Sequence, residues 1–389
     1  MAVEAQVPTI TAQPSFRRQL GQVFAPIGQI VLFVVGSSLV LGAIVVVLAL
    51  ILRGTSGQSN MLNGVITVLP LVIIDGLVLG FLYATIALGY TMVYGVLEFI
   101  NFAHGEIYMV GSFVGGGLGL FLASQGLLAM MSPLVFVLIA LLLAMTVSGL
   151  LAMAIERFAY RPLRNAPRLV PLISAIGVSL VLQDLVRLIV GPARFNLRYP
   201  SIGLGQRFPI AQIPTASGVT LNVSIDSQSL IFIGTSLLML IALNYVVNVT
   251  KLGKAIRAVA QDRPTASLMG INVNLMIALT FLIGGALGGA AGVLFGIKYS
   301  TVNPYIGFIA GLKAFTAAVL GGIGNITGAM VGGIVLGLLE AFVSNYLTIF
   351  TNGRFSGPDY ASVAAFLILI GILIFRPSGI LGEATTQKV

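Results

Sequence analysis

The chain has 389 residues, 58% of them hydrophobic and only 8% charged, with a mean hydropathy of +1.06. That composition excludes an ordinary soluble domain, and the absence of cysteine excludes disulfides, thiolate metal sites and a thiol nucleophile. The net charge of +9 does not mark a nucleic-acid partner, because Lys and Arg gather in short loops without accompanying aromatic or groove-reading residues.

Apolar runs recur along the chain at roughly the 20-residue length that a bilayer-crossing helix needs. The expected fold class is therefore all-α: a polytopic transmembrane helical bundle of nine or ten crossings, one of them an extra N-terminal span. Residues 1–27 are polar and carry Arg17 and Arg18 ahead of the apolar run Ile27 to Leu52. That run is too long for a signal-peptide core and no A-x-A-like site follows it, which predicts a retained span with a cytoplasmic N-terminus. The chain divides accordingly into an N-terminal extension, residues 1–63, and a transmembrane domain, residues 64–389. After an external loop over 53–65, a second span covers about Ile66 to Leu88 and includes Asp75. A Gly/Tyr-containing turn is expected next.

The stretch Leu97 to Phe113 reads L-E-F-I-N-F-A-H-G-E-I-Y-M-V-G-S-F and holds the single histidine, His104, between Glu98 and Glu106 and close to Asn101. Ionisable groups at membrane depth are costly and usually face a protein interior or a water-filled path. These residues read either as a passage or gate, or as hydrogen-bonded anchors between spans. On continuous helical spacing Glu98, Asn101, Gly105 and Tyr108 would share one face.

A span over 132–155 ends in E-R-F-A-Y-R-P-L-R-N-A-P-R, where Arg157, Arg161, Arg164 and Arg168 mark the cytoplasmic side. The span Leu169 to Val190 leads to an external, proline-rich segment over 191–229. After the span Leu230 to Val249, a second basic loop over 250–273 carries Lys251, Lys254, Arg257 and Arg263, again on the cytoplasmic side. Within it, Asp262 is placed to cap a short helix from about Pro264 to Met269 that ends at Gly270. A span over 274–297 follows. Residues 306–347 are glycine-rich and fit either a half-crossing plus a span or two short spans. A last span runs from about Tyr360 to Phe375.

Two glycine series, Gly284/Gly288/Gly292 and Gly324/Gly328/Gly332, repeat at intervals of four. Small residues at this spacing let helix backbones approach closely, and the second series is dense enough for a broken or re-entrant helix. A faint repeat relates Val96, Leu97, Ile100 and Gly105 to Val319, Leu320, Ile323 and Gly328 at one constant offset. No G-x-x-x-x-G-K-[ST] loop is present, so ATP hydrolysis by that route is excluded. One histidine and scattered carboxylates do not make a zinc enzyme site, and no nucleophile stands with a base and an orienting partner.

Several runs together resemble one family. I-N-F-A-H-G-E (Ile100 to Glu106), A-Y-R-P-L-R (Ala159 to Arg164), I-S-A-I-G-V-S (Ile173 to Ser179), A-S-L-M-G-I-N (Ala266 to Asn272), N-P-Y-I-G-F-I-A-G-L-K-A-F-T-A-A-V-L-G-G-I-G (Asn303 to Gly324) and R-P-S-G-I-L-G (Arg376 to Gly382) are similar to LivH-type permeases of bacterial branched-chain amino-acid ABC importers. The resemblance runs in order over roughly residues 66–383. It implies a non-enzymatic, multi-pass subunit of the bacterial inner membrane, with no cofactor of its own. ATP and magnesium would be bound by two separate ATPase subunits, and a second, LivM-like permease and an external binding protein would complete the importer.

The resemblance also implies a coupling loop of the E-A-A-x-x-x-G type. Thr265, Ala266 and Gly270 fit its last positions, with Pro264 where the glutamate would stand, and Asp262 and Arg263 open the same helix. The passage is expected along Glu98, Asn101, His104 and Glu106 and the facing residues Asn303, Tyr305, Lys313 and Asn325. Its cargo would be a branched-chain or other neutral amino acid, urea or a short amide. The alternative is an ion- or proton-coupled secondary transporter using Asp75, Glu98, Glu106, Asp184 and Glu340. A channel is disfavoured because no filter sequence is evident.

Overall fold

The computed structural model describes residues 16–56, 61–167, 169–192, 195–214, 220–376 and 378–382. Residues 57–60, Arg168 and Pro377, each part of an expectation above, lie outside them. The long helices are α1 (Phe16–Ser56), α2 (Met61–Leu97), α3 (His104–Ser124), α4 (Pro133–Ile155), α5 (Leu169–Val190), α6 (Ser227–Asn248), α9 (Val273–Tyr299), α11 (Ile326–Phe350) and α12 (Gly357–Phe375). Among the described residues these nine are long and apolar enough to cross a membrane, and α10 (Ile306–Gly321) is a shorter apolar helix. Two short helices, α7 (Lys251–Gln261) and α8 (Arg263–Leu268), fill the second basic loop.

Glycine holds the bundle together. Along α9, Gly284, Gly288 and Gly292 lie against Gly89 of α2 and His104 and Tyr108 of α3, while the adjoining Gly285 and Gly289 lie against Ala152 and Ser148 of α4. An added methyl at Gly292 would overlap the Tyr108 carbonyl. On α11, Gly333 and Gly337 receive Ala84 and Gly80 of α2. Lipid supplies little hydrophobic drive between spans, so close backbone packing of this kind does much of the joining. The N-terminal helix joins the same assembly: Val45 and Ala49 of α1 pack with Val72 of α2 and Phe342 and Tyr346 of α11.

The expected Gly/Tyr turn before the His104 stretch is corrected, because α2 runs unbroken to Leu97. Its Gly89 serves contact with α3 and α9 rather than bending. The chain leaves the helix one residue later, at Glu98, which takes the left-handed conformation with φ 58°. Glu98 and Asn101 therefore lie in a non-helical break, 98–103, and the single polar face expected for them with Gly105 and Tyr108 does not form. Helix α3 begins level with Gly89, about 12 Å back along α2 from Leu97 at about 1.5 Å per residue.

The glycine-rich region forms two helices, α10 of 16 residues and α11 of 25. Gly307 and Gly311 of α10 lie against Gly105, so α10 starts at the depth of the first turn of α3 and descends to Gly321. Gly322 and Gly324, at φ 107° and 91°, then make the tight reversal into α11. Short strands accompany the helical bundle in the segment between α5 and α6. Strands β2 (Arg207–Pro214) and β3 (Thr220–Asp226) form an antiparallel hairpin, and β1 (Leu197–Arg198) pairs with β4 (Thr301–Val302). After β1, Tyr199 reaches inward between Gly115 and Gly296 and donates to the Ser112 carbonyl at 2.5 Å. Irregular backbone is tolerated at such depth because it is buried in protein.

Candidate functional site

The break 98–103 is clamped on two sides. The turn after α4 is π-helical over Glu156–Tyr160. It aims the buried Tyr160 hydroxyl at Asn101, donating to Oδ1 at 2.6 Å, with the Tyr160 ring packed on Phe99 and Phe281 at centroid distances of 5.3 and 5.7 Å. The turn is fixed in its own right by an Arg164–Glu156 ion pair, and Arg164 also donates to Asn274 at 2.7 Å. Burial draws the Arg164 guanidinium below its usual range, and the Glu156 carboxylate opposes that shift.

On the other side of the break, Arg263 at the start of α8 donates to the Val96 carbonyl at 2.7 Å, in the last turn of α2. Asp262 caps α8, accepting from Thr265 N at 3.2 Å and from the Thr265 hydroxyl. Those bonds hold the Asp262 carboxyl below the usual carboxylate range. Ala266 is buried, and Gly270 takes φ 82° to end the helix, as its place in the sequence predicted. Leu268 and Met269, at 88% and 78% exposure, project from α8 as bare apolar side chains. A cleft of about 450 Å³ separates the break from α8, with Glu98, Phe99, Tyr160, Asp262 and Arg263 in its wall.

A second opening of about 540 Å³ lies between α2, α6, α7 and the α10–α11 reversal, bordered by Thr91, Asn244, Arg257 and Asn325. Asn325 caps α11 by accepting from Gly328 N at 3.0 Å and donates to the Leu381 carbonyl at 2.9 Å. The residues expected along the passage thus fall into separate places. Glu98, Asn101 and Asn325 lie toward the end of the bundle that carries α7 and α8, and His104 and Glu106 lie deeper. Asn303 and Tyr305 lie in the turn before α10, where Arg187 donates to the Tyr305 hydroxyl at 3.3 Å. Lys313 stands on no open wall, because its Nζ pairs with the buried Glu340, whose other oxygen accepts from Tyr83 at 2.7 Å.

Glu106 is fully buried, and its Oε1 accepts from Ser179 at 3.0 Å and Gln183 at 2.7 Å, both on α5. Sequence reasoning missed Ser179, Gln183, Tyr160, Leu268 and Met269. Ser179 closes the run I-S-A-I-G-V-S and Tyr160 lies in A-Y-R-P-L-R, so both sat in noted motifs without an assigned role. Of the carboxylates considered for ion coupling, Asp75 is exposed, Asp184 pairs with Arg187 at 3.4 Å, and Glu340 is held by Lys313.

Residues 72–375 match the family described as branched-chain amino acid transport system / permease component. The high-affinity branched-chain amino acid transport system permease protein LivH of Salmonella typhimurium is 45% identical over 318 residues, covering 81% of this chain and 96% of that protein. The corresponding permease protein BraD of Pseudomonas aeruginosa is 45% identical over 320 residues, covering 82% and 97%. A probable branched-chain amino acid transport permease protein LivH of Methanocaldococcus jannaschii is 29% identical over 308 residues, covering 77% and 89%. Helix α1 precedes the matched region.

Proposed function

The chain belongs to the permease family of branched-chain amino-acid transport systems, and from that premise we propose that it carries branched-chain or other neutral amino acids across a bacterial inner membrane. It is a transport subunit of an ABC importer and not an enzyme. Two ATP-binding subunits, which hold ATP and magnesium, drive it. A second, LivM-like permease completes the membrane unit, and an external binding protein delivers the cargo at the face bearing β2 and β3.

The observation that carries this reading is the Arg263–Val96 bond. It joins a cytoplasmic helix to the last turn of α2 at the point where the transmembrane path is broken. The exposed Leu268 and Met269 give α8 an apolar tip to seat in a partner. A stroke applied to α8 would therefore reach the break 98–103 through one charge-assisted hydrogen bond. Glu98, Asn101, His104 and Glu106 gate the passage from this side, and Asn303 and Tyr305 stand on its outer approach. Lys313 serves the scaffold, and Asn325 borders the cytoplasmic opening.

The test is purification of the tagged protein in mild detergent, then reconstitution into liposomes with whatever subunits accompany it. Recovery of two nucleotide-binding subunits and a second permease is expected, with leucine uptake that needs ATP and a loaded binding protein. Uptake driven by an ion gradient, from a preparation without ATPase subunits, would overturn the reading.

A further inference from the structure

Glu106 is half satisfied. Its Oε1 has two donors, Ser179 and Gln183, while its Oε2 is buried without any hydrogen-bond partner. The nearby Tyr90 hydroxyl and His104 Nε2 are buried and unpartnered too. A buried acceptor without a donor costs free energy, and more so when the group is charged. Lys313 and Arg187 are engaged elsewhere, with Glu340 and Asp184.

What covers Oε2 is the bare backbone of α10. An added Cβ at Gly307 would overlap Oε2, and one at Gly311 would come within 3.2 Å of the Tyr90 hydroxyl. Both glycines also press on Gly105. At Oε2 itself α10 presents Gly307 and no side chain, while Phe315, further along the helix, packs on Tyr90 at a centroid distance of 6.3 Å. The helix is 16 residues long, with the Asn303–Tyr305 turn before it and the Gly322–Gly324 reversal after it. A short helix bounded by two non-helical joints moves as one piece with dihedral changes confined to the joints.

We propose that Glu106 Oε2 receives the α-ammonium group of the transported amino acid at mid-depth, when α10 lifts from Gly105. The inference rests on the permease reading above and narrows its cargo. An ammonium brings charged N–H donors to a carboxylate oxygen, whereas urea and simple amides bring no positive charge. Ser179 and Gln183 keep the carboxylate aimed, and Tyr90 borders the same helix. An inorganic cation would satisfy the same oxygen, so the test separates the two sources.

In liposomes holding the full complex, Glu106→Gln is expected to lower maximal leucine uptake about tenfold or more, the scale of one charge-assisted hydrogen bond. The concentration of loaded binding protein at half-maximal uptake stays unchanged, and ATP hydrolysis falls less than uptake. Glu106→Asp recovers part of the loss. Wild-type uptake persists when sodium and potassium are replaced by N-methylglucamine.

Glu106→Gln uptake within about twofold of wild type overturns the proposal, as does loss of wild-type uptake without alkali cations. Thermal melting of the detergent-solubilised complex guards against a folding defect. Removing an unpaired charge leaves the melting temperature equal or higher, whereas earlier melting or failed assembly marks Glu106 as a structural lock and also overturns the proposal. A wild-type complex that takes up no amino acid refutes the permease reading instead.

Discussion

Replacing Lys313 with Met separates scaffold from passage. The Lys313 ammonium pairs with Glu340 and lies 5.6 Å from the centroid of the Tyr83 ring, while Tyr83 donates to the second Glu340 oxygen at 2.7 Å. Lys313 is 7% exposed and Glu340 8%, so solvent screens the pair little. Met keeps the unbranched stem and removes the charge, leaving the carboxylate with Tyr83 as its remaining partner in this trio. Removing one side of a buried ion pair costs about 3–5 kcal/mol, because the other charge is left uncompensated. Adding Glu340→Gln removes that charge while keeping an acceptor for Tyr83, and should bring the double variant back to within about 1 kcal/mol of wild type. The assay is SDS-induced unfolding of the purified complex, beside leucine uptake by the same preparations. A Lys313→Met protein as stable as wild type, or no recovery in the double variant, refutes the argument. A double variant that is stable but transports nothing would place Lys313 on the passage after all.

Arg263→Ala deletes the bond to Val96, so uptake should drop at least about fivefold, while ATPase subunits still co-purify and hydrolyse ATP; unchanged uptake per ATP would refute a role in coupling. Gly333→Val forces a branched side chain into the backbone of Ala84 and should prevent stable assembly, whereas Gly117→Ala, with nothing within 4 Å, should express and melt like wild type. Partial burial alone would raise the Asp226 carboxyl, but bonds from Lys298 at 2.6 Å and Ser229 outweigh it and hold it below its usual range. A depressed folded value means that this stabilisation is present above the unfolded value and lost as pH falls through the folded one. The stability difference between wild type and Asp226→Asn should therefore be flat above about pH 5 and shrink progressively as pH falls below about 4.

The spans were legible in the sequence because apolar length is a strong signal. The short helix capped by Asp262 was legible too, since an N-cap, a first-turn proline and a terminal glycine are local features. What escaped was whatever depended on a distant partner. Gly89 and Gly95 look like turn residues in isolation, yet their neighbours in space are His104 of α3 and Gly324 of the second reversal. The trio of Lys313, Glu340 and Tyr83 was not legible because its members are remote in the chain. The break after Leu97 lies in an apolar run with no proline, and only the left-handed Glu98 marks it in the structure.

The weak internal repeat gains a physical meaning from those breaks. Val96 and Leu97 end α2 as Val319 and Leu320 approach the end of α10, Ile100 and Ile323 lie in the two breaks, and Gly105 and Gly328 sit in the first turns that follow. The two helix–break–helix units pack on each other, α2 on α11 and α3 on α10, and Gly95 faces Gly324 between them. Each break has its own tether. Arg263 and Tyr160 hold the first, while Ile380 and Leu381 donate to the Leu320 and Gly321 carbonyls at 2.8 and 3.0 Å beside the second. Glycine contacts bind the α2–α11 and α3–α9 pairs along much of their length, which resists sliding within them. Helix α10, which covers the unpartnered oxygen of Glu106, meets its neighbours through backbone contacts of the same kind, Gly307 and Gly311 on Gly105 of α3 and Ala317 on Gly332 of α11.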